Sequence, residues 1–366
     1  MINPDDFAPR NLEDMVIGDA GSKAKLQDIV SNTVPFPALY EAKSDGDLIV
    51  EAKTDKRGVV TDPARAKTEE NAAFLMDKYK LYQLTSTRYL AIGLKDKVKQ
   101  AVDKQVALVG GVNYDYLPGA LADAKTVKKE KGLDRSSASA SGSLAYLPGT
   151  KEETDQIAET VIKSGWTAVS LNGDEAKEEK VTSLEGKEAK GVLHLATHGY
   201  AFSEYNSKDS SMTKKSLRYS YRYAANPMVR SGLILTGGNW AWTGSDTLNK
   251  LGAPQNGILT ALEVSQLNLK KTKLVVLSAC ETGLGAIDGS EGTFGLKRAF
   301  KLAGVDQLIV SQWSVPDKET MELMTLFYND LTKTLHPVES FDNAQREMRK
   351  KYPNEPEKWA GFVLVR

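Results

Sequence analysis

The chain has 366 residues with 48 basic and 48 acidic side chains; this balance gives no global field to recruit nucleic acid or an anionic membrane, so a charged partner has to be held by a local patch. Hydrophobic residues make up 41%, enough for a sizeable core in one large α/β domain with an accessory lobe, or in two domains. The single cysteine excludes an internal disulfide framework and fits a reducing compartment; the start MINPDDFAPR is neither basic nor apolar, and no apolar run approaches the ~20 residues of a membrane helix, so the expectation is a soluble, cytoplasmic protein with no membrane partner.

Residues 1–78 are expected to form an N-terminal accessory region: the first ~45 show no clean period, and Lys43 to Glu70 is charge-rich with short β-like pieces. From residue 79 the text becomes regular. KLYQLTSTRYLAIG reads as a strand and turn, VALVGGVNY (Val106 to Tyr114) as a buried strand, and Lys125 to Ser143 as a mobile surface loop. Next, Thr150 and Glu153 spell a capping box for a helix with an apolar stripe of Ile157, Val161 and Ile162, stopped by Gly165. The strand WTAVSLN, a charged amphipathic segment (Asp174 to Lys190) and the strand GVLHLAT follow, an alternation that implies parallel β-α-β units. A long insert, about 200–257, interrupts it. ILTALEVSQLNL and the strand KLVVLSA resume the pattern; then come the helix EGTFGLKRAFKLAG, the strand VDQLIVSQW, the helices DKETMELMTLFYNDLTK and FDNAQREMRKKY, and a last strand, GFVLVR. No period of ~20 to 50 residues marks a repeat array.

Cys280 lies in LVVLSACETGLG and His198 in VLHLATHG. Each falls where an apolar run ends in small residues, which is where an open parallel sheet places its chemistry. A thiol needs a neighbouring base to become a nucleophile, and His198 is placed to take its proton and return it to a leaving amine. The backbone N–H groups of Gly199 and Cys280 are candidates for the donor pair that stabilises a developing oxyanion. Ser278, Ala279, Gly283 and Gly285 leave room for a peptide. His194 shares a strand face with His198 by parity and reads as a supporting or core histidine. One cysteine without a ligand cluster gives no metal site. His336 reads as an exposed helix-end residue, and neither Gly110-Gly111 nor Gly237-Gly238 opens a phosphate-binding loop, so no cofactor is expected.

In order, LPGTKEETDQIAE, LHLATHGY, SGLILTGGN, ILTALEVSQLNL, LVVLSACETGLG, EGTFGLKRAFKLAGVDQLIVSQWSVPD and WAGFVLVR resemble the CHAT domain, of the caspase, separase and gingipain group of cysteine peptidases. The resemblance runs from roughly residue 79 to the last residue. It implies a caspase-like three-layer α/β sandwich whose mainly parallel central sheet is flanked by helices. It also implies a His198–Cys280 dyad, with the Gly199 and Cys280 N–H groups as oxyanion donors. The expected function is endoproteolysis of specific protein targets through a thioester, in regulated proteolysis linked to prokaryotic defence or cell death. A catalytically silent caspase-like interaction module, or a thiol acyltransferase or amidase, is the alternative. Family members are commonly fused to tetratricopeptide repeats; none is present here, which leaves a regulatory partner or repeat region outside this chain as an open expectation.

Two regions carry further expectations. The insert interleaves Lys208, Lys214, Lys215, Arg218, Arg222 and Arg230 with Tyr205, Tyr221 and Tyr223. It reads as a regulatory or self-cleaved loop, or as a plain solvated loop; direct nucleic-acid binding is disfavoured by the neutral charge of the whole. Glu281, Asp288, Glu291, Ser311, Trp313 and Asp317 are candidates for a pocket that receives the residue before the scissile bond. An acidic floor selects lysine or arginine, whereas a tryptophan wall accepts an apolar side chain.

Overall fold

The computed structural model describes residues 53–54, 60–62, 101–117, 143–202, 217–244, 256–278, 291–311 and 316–366, and the chain divides into two units, Met1–Leu81 and Tyr82–Arg366. In the first, β1 (Lys53–Thr54) and β2 (Val60–Asp62) pair antiparallel. The expected strand KLYQLTSTRYLAIG and residues 125–142 of the expected loop lie outside the described residues.

In the second unit β3 (Gln105–Gly110), β4 (Thr167–Asn172) and β5 (Val192–Leu195) are followed by three short strands, β6 (Gly199–Ala201), β7 (Ser231–Ile234) and β8 (Ile258–Thr260), and then by β9 (Leu274–Leu277), β10 (Gln307–Ser311) and β11 (Phe362–Val365). The longer-range set forms a six-stranded sheet in the order β11-β10-β9-β5-β3-β4. All its neighbours run parallel except β11, which is antiparallel to β10. The valine- and leucine-rich strands β5 and β9 are wholly buried, as strands covered on both faces must be. Strands β6, β7 and β8 form a separate antiparallel sheet.

The helices are α1 (Pro148–Lys163), α2 (Glu178–Thr182), α3 (Leu217–Arg222), α4 (Gly238–Thr243), α5 (Ala261–Gln266), α6 (Glu291–Leu302), α7 (Asp317–Thr334) and α8 (Pro337–Lys351). Strand parity sorts them into layers. Ala107, Val109, Leu193, Leu195, Val275 and Leu277 join one apolar cluster with Leu296, Ala299 and Phe300 of α6 and with the small sheet. The alternate row Leu108–His194–Val276 turns toward α1 and α7, which pack on each other, and α8 packs on α7. The result is the three-layer α/β sandwich with a mainly parallel central sheet that the resemblance implies.

Helix α1 starts differently from the expectation. Pro148 occupies its first turn and Leu147 its N-cap, because proline is preorganised for that position. Thr150 therefore lies inside the helix, where its hydroxyl donates to the Leu147 carbonyl (2.7 Å) and accepts from the Gly111 N–H (2.9 Å). Glu153 caps nothing and is buried against the sheet. The capping box is instead at α5: Thr260 Oγ1 accepts from the Glu263 N–H (3.2 Å), while Glu263 Oε2 accepts from the Thr260 N–H (2.8 Å). His336 also departs from its expected exposure, sitting half-buried at the N-cap of α8.

Candidate active site

His198 lies three residues beyond the end of β5 and is 1% exposed. Its backbone is fixed from two sides. The His198 N–H donates to Tyr114 Oη (3.1 Å), and its carbonyl accepts from the Ile234 N–H of β7 (2.8 Å). Tyr114 Oη also bonds Thr197 Oγ1 (3.0 Å), whose hydroxyl donates to the Ile234 carbonyl. The Tyr114 ring packs against the imidazole at 4.9 Å between centroids. His198 Nε2 lies 2.9 Å from the carbonyl oxygen of Ala145. A carbonyl only accepts, so Nε2 carries the proton and Nδ1 holds the lone pair of the neutral ring. The residue before Ala145 is held in place: Asn239 of α4 accepts from the Leu144 N–H (2.8 Å) and donates to the Leu144 carbonyl (2.9 Å).

Strand β9 runs beside β5 with Leu195 opposite Leu277, and the Ser278 N–H continues the pairing onto the Leu195 carbonyl (3.0 Å). Cys280 is as many residues beyond Leu277 as His198 is beyond Leu195. Cys280 itself, with Glu281, Asp288 and Trp313, lies outside the described residues; Glu291 opens α6, but its side chain is likewise outside them. Gly199 opens β6 directly after the histidine. Of the pocket candidates, Ser311 is a buried residue at the end of β10, opposite Phe362. Asp317 opens α7 and abuts the first turn of α1, so closely that a Cβ on Gly149 would fall 2.6 Å from Asp317 Oδ2. The segment just before α1 supplies the Ala145 carbonyl to His198.

Beneath the strand ends is a buried polar group whose members the sequence offered only singly, Glu153 as a capping residue, His194 as a core histidine and Ser278 as a small residue. Glu153 Oε1 lies 3.1 Å from His194 Nε2, both side chains being fully buried, and Glu153 Oε2 accepts from Ser278 Oγ (3.1 Å). His194 Nδ1 is 3.2 Å from Tyr328 Oη. Burial first, and then the charge of Glu153, push the Tyr328 phenol well above its ordinary value, so it keeps its proton and can donate it to Nδ1. This leaves Nε2–H facing the carboxylate.

The part of the insert that is described is folded. Tyr200, Phe202, Tyr221 and Trp242 form an aromatic cluster in which Tyr200 stacks on Tyr221 (5.7 Å, 8°) and Phe202 on Trp242 (6.0 Å, 12°). The guanidinium groups of Arg218 and Arg222 lie over Trp242 (5.7 Å) and Phe202 (5.8 Å), so these two cations pack within the protein. Lys208, Lys214, Lys215 and Tyr205 lie outside the described residues. At the far end of the insert, Glu178 of α2 accepts from the Asn256 (3.1 Å) and Gly257 (3.0 Å) N–H groups. Burial, then the nearby charge of Glu263, raises its carboxyl to about 7.

These features define an α/β protein whose mainly parallel sheet presents a buried histidine of fixed tautomer at its carboxyl edge, beside a strand that ends three residues before the single cysteine in the sequence. The chain belongs to the CHAT domain family, whose model matches residues 26–366, beginning upstream of the motifs that carry the resemblance. It is 33% identical over 109 residues to Tetratricopeptide repeat protein 28 of Mus musculus and 32% identical over 112 residues to that of Homo sapiens. Each match takes in 30% of this chain and 4% of the relative. Among solved structures it is similar to the Arg-specific cysteine proteinase gingipain R (TM-score 0.38, 9% identity, 77% of this chain and 52% of that one). It is also similar to the complex of the Porphyromonas gingivalis RgpB pro- and mature domains (TM-score 0.35, 10% identity, 72% and 47%). No helix among the described residues is long and apolar enough to cross a membrane.

Proposed function

We propose that the protein is a cysteine endopeptidase in which His198 is the base and Cys280 the nucleophile. The observation that carries this reading is the Nε2–Ala145 carbonyl hydrogen bond, because it leaves Nδ1 as the proton acceptor on a ring locked at the carboxyl edge of β5. In the proposed reaction Nδ1 takes the Cys280 proton and the thiolate attacks the scissile carbonyl. The Gly199 and Cys280 N–H groups stabilise the oxyanion. Imidazolium then protonates the leaving amine, and water hydrolyses the thioester. Asp317, whose carboxylate lies against the first turn of α1, would favour a lysine or arginine before the cut by ion pairing, with Glu281, Asp288 and Glu291 as further acidic candidates. Regulated proteolysis in a prokaryotic cytoplasm, under control of a partner or of repeats outside this chain, is the setting proposed for it.

The test is peptide mapping of a diverse peptide library treated with wild type, Cys280→Ala and His198→Ala. Two fragments per substrate in the wild type, reduced by on the order of a thousandfold in either variant, are expected. Modified but uncut products identify an acyltransferase or amidase instead, and wild-type silence with an unreactive Cys280 identifies a silent module. Asp317→Asn is expected to lower the preference for basic residues; an unchanged cut-site profile removes Asp317 from the pocket.

A further inference from the structure

We infer that Glu153 is a positioning residue that sets the spacing of the two strand ends bearing His198 and Cys280. The inference rests on the dyad reading and deepens it. One carboxylate reaches both strands. Oε1 faces His194, four residues before His198 on the chain, and Oε2 accepts from Ser278, two residues before Cys280. Glu153, His194 and Ser278 are each no more than 1% exposed, and Tyr328 closes the far side of His194. A carboxylate taken fully out of water costs several kcal/mol unless its partners return that cost. An apolar residue would fill the same space between α1, β5 and β9 more cheaply. What an apolar residue cannot do is hold both ends at once, since dispersion contacts are non-directional, whereas the carboxylate accepts a directional hydrogen bond from Ser278 and sits at ion-pair distance from His194.

Among the described residues the β5–β9 pairing runs to Leu195 opposite Leu277 and the Ser278 N–H bond onto Leu195. Glu153 adds a side-chain tie at this end of the ladder. It is carried on α1, a helix whose first turn is anchored to the sheet through the Thr150–Gly111 hydrogen bond. The tie therefore refers both strand ends to a third rigid element.

The experiment measures the rate of iodoacetamide alkylation of Cys280 against pH in wild type, His198→Ala, Glu153→Gln and Ser278→Ala, with circular dichroism and thermal melting of each. The cysteine is the single thiol of the chain, so the readout needs no substrate. A wild-type profile shifted to low pH and abolished in His198→Ala establishes the dyad. Glu153→Gln, which keeps the shape and one acceptor, is expected to fold and to slow alkylation near neutral pH by on the order of tenfold to a hundredfold, as small misplacements do in preorganised sites. Ser278→Ala is expected to give a smaller loss in the same direction, and serves as the deciding variant if Glu153→Gln does not fold. A folded Glu153→Gln, or failing that a folded Ser278→Ala, with the wild-type profile overturns the inference and leaves the dyad standing. A wild-type profile indifferent to His198 overturns the dyad, and the inference with it.

Discussion

Two helices of this protein carry, at the N-cap or in the first turn, a threonine followed three residues later by glutamate, and the two pairs behave differently. At α5 the spelling Thr260–Glu263 closes a reciprocal capping box at the helix start. At α1 the same spelling, Thr150–Glu153, contributes one hydroxyl to the end of β3 and one carboxylate to the polar group under the strand ends. What separates them is the residue before. Pro148 starts α1 early, moves Thr150 inside the first turn and turns Glu153 inward, whereas Thr260 follows β8 directly and is free to cap. A local motif thus fixes a helix start only where tertiary partners do not compete for its side chains.

Three outcomes sharpen this contrast. The largest concerns Glu153→Ala, which leaves His194 and Ser278 facing an empty buried space. It is expected to cost about 3–5 kcal/mol in urea unfolding, whereas a cost below ~1 kcal/mol, the scale of a lost helix cap, would erase the distinction between the two glutamates. Next is pH. Glu178 is raised to about 7 by burial and then by Glu263, so the folded state holds a proton that the unfolded chain releases near 4.5. Stability is therefore expected to fall as pH rises from about 4.5 to 7, by at most about 3 kcal/mol, and to level off above that. Melting curves of Glu178→Gln should lack this component, and those of Glu263→Gln should show it weakened; parallel curves for wild type and Glu178→Gln would remove Glu178 as its source. The smallest difference lies between the threonines. Thr260→Ala is expected to cost about 1 kcal/mol as a lost cap. Thr150→Ala should exceed it, at about 1–3 kcal/mol, because it strands the buried Gly111 N–H. Equal costs would mean that water reaches Gly111.

The same contrast explains what the residues alone disclosed. The central strands were legible because VALVGG, GVLHLAT and KLVVLSA are apolar runs long enough to be nothing else, and His198 was legible because it follows such a run. The small antiparallel sheet was not. Its strands, Gly199–Ala201, Ser231–Ile234 and Ile258–Thr260, are three or four residues long and lie far apart in the chain, so no period develops within any of them. The acceptor of His198 is a backbone carbonyl, which every residue possesses, so Ala145 carries no signal. Tyr114 and Asn239 act across 84 and 95 residues of sequence respectively. Glu153 was noticed, but for the wrong partner. Its spacing from Thr150 is local information, and its approach to His194 and Ser278 exists only once three elements have met.

The position of the insert within the sheet order has a consequence for the integrity of the molecule. A backbone nick between Phe202 and Leu217 would divide the chain into a piece holding β3, β4, β5 and β6 and a piece holding β7 to β11. Neither piece would own the whole of the six-stranded or of the three-stranded sheet. The six-stranded order would part only between β5 and β9, and the small sheet only between β6 and β7. Both seams are buried ladders, so the two pieces would stay together as a heterodimer in native buffer and separate only in denaturant. The larger seam is the β5–β9 boundary itself, which would put the histidine on one polypeptide and the cysteine on the other.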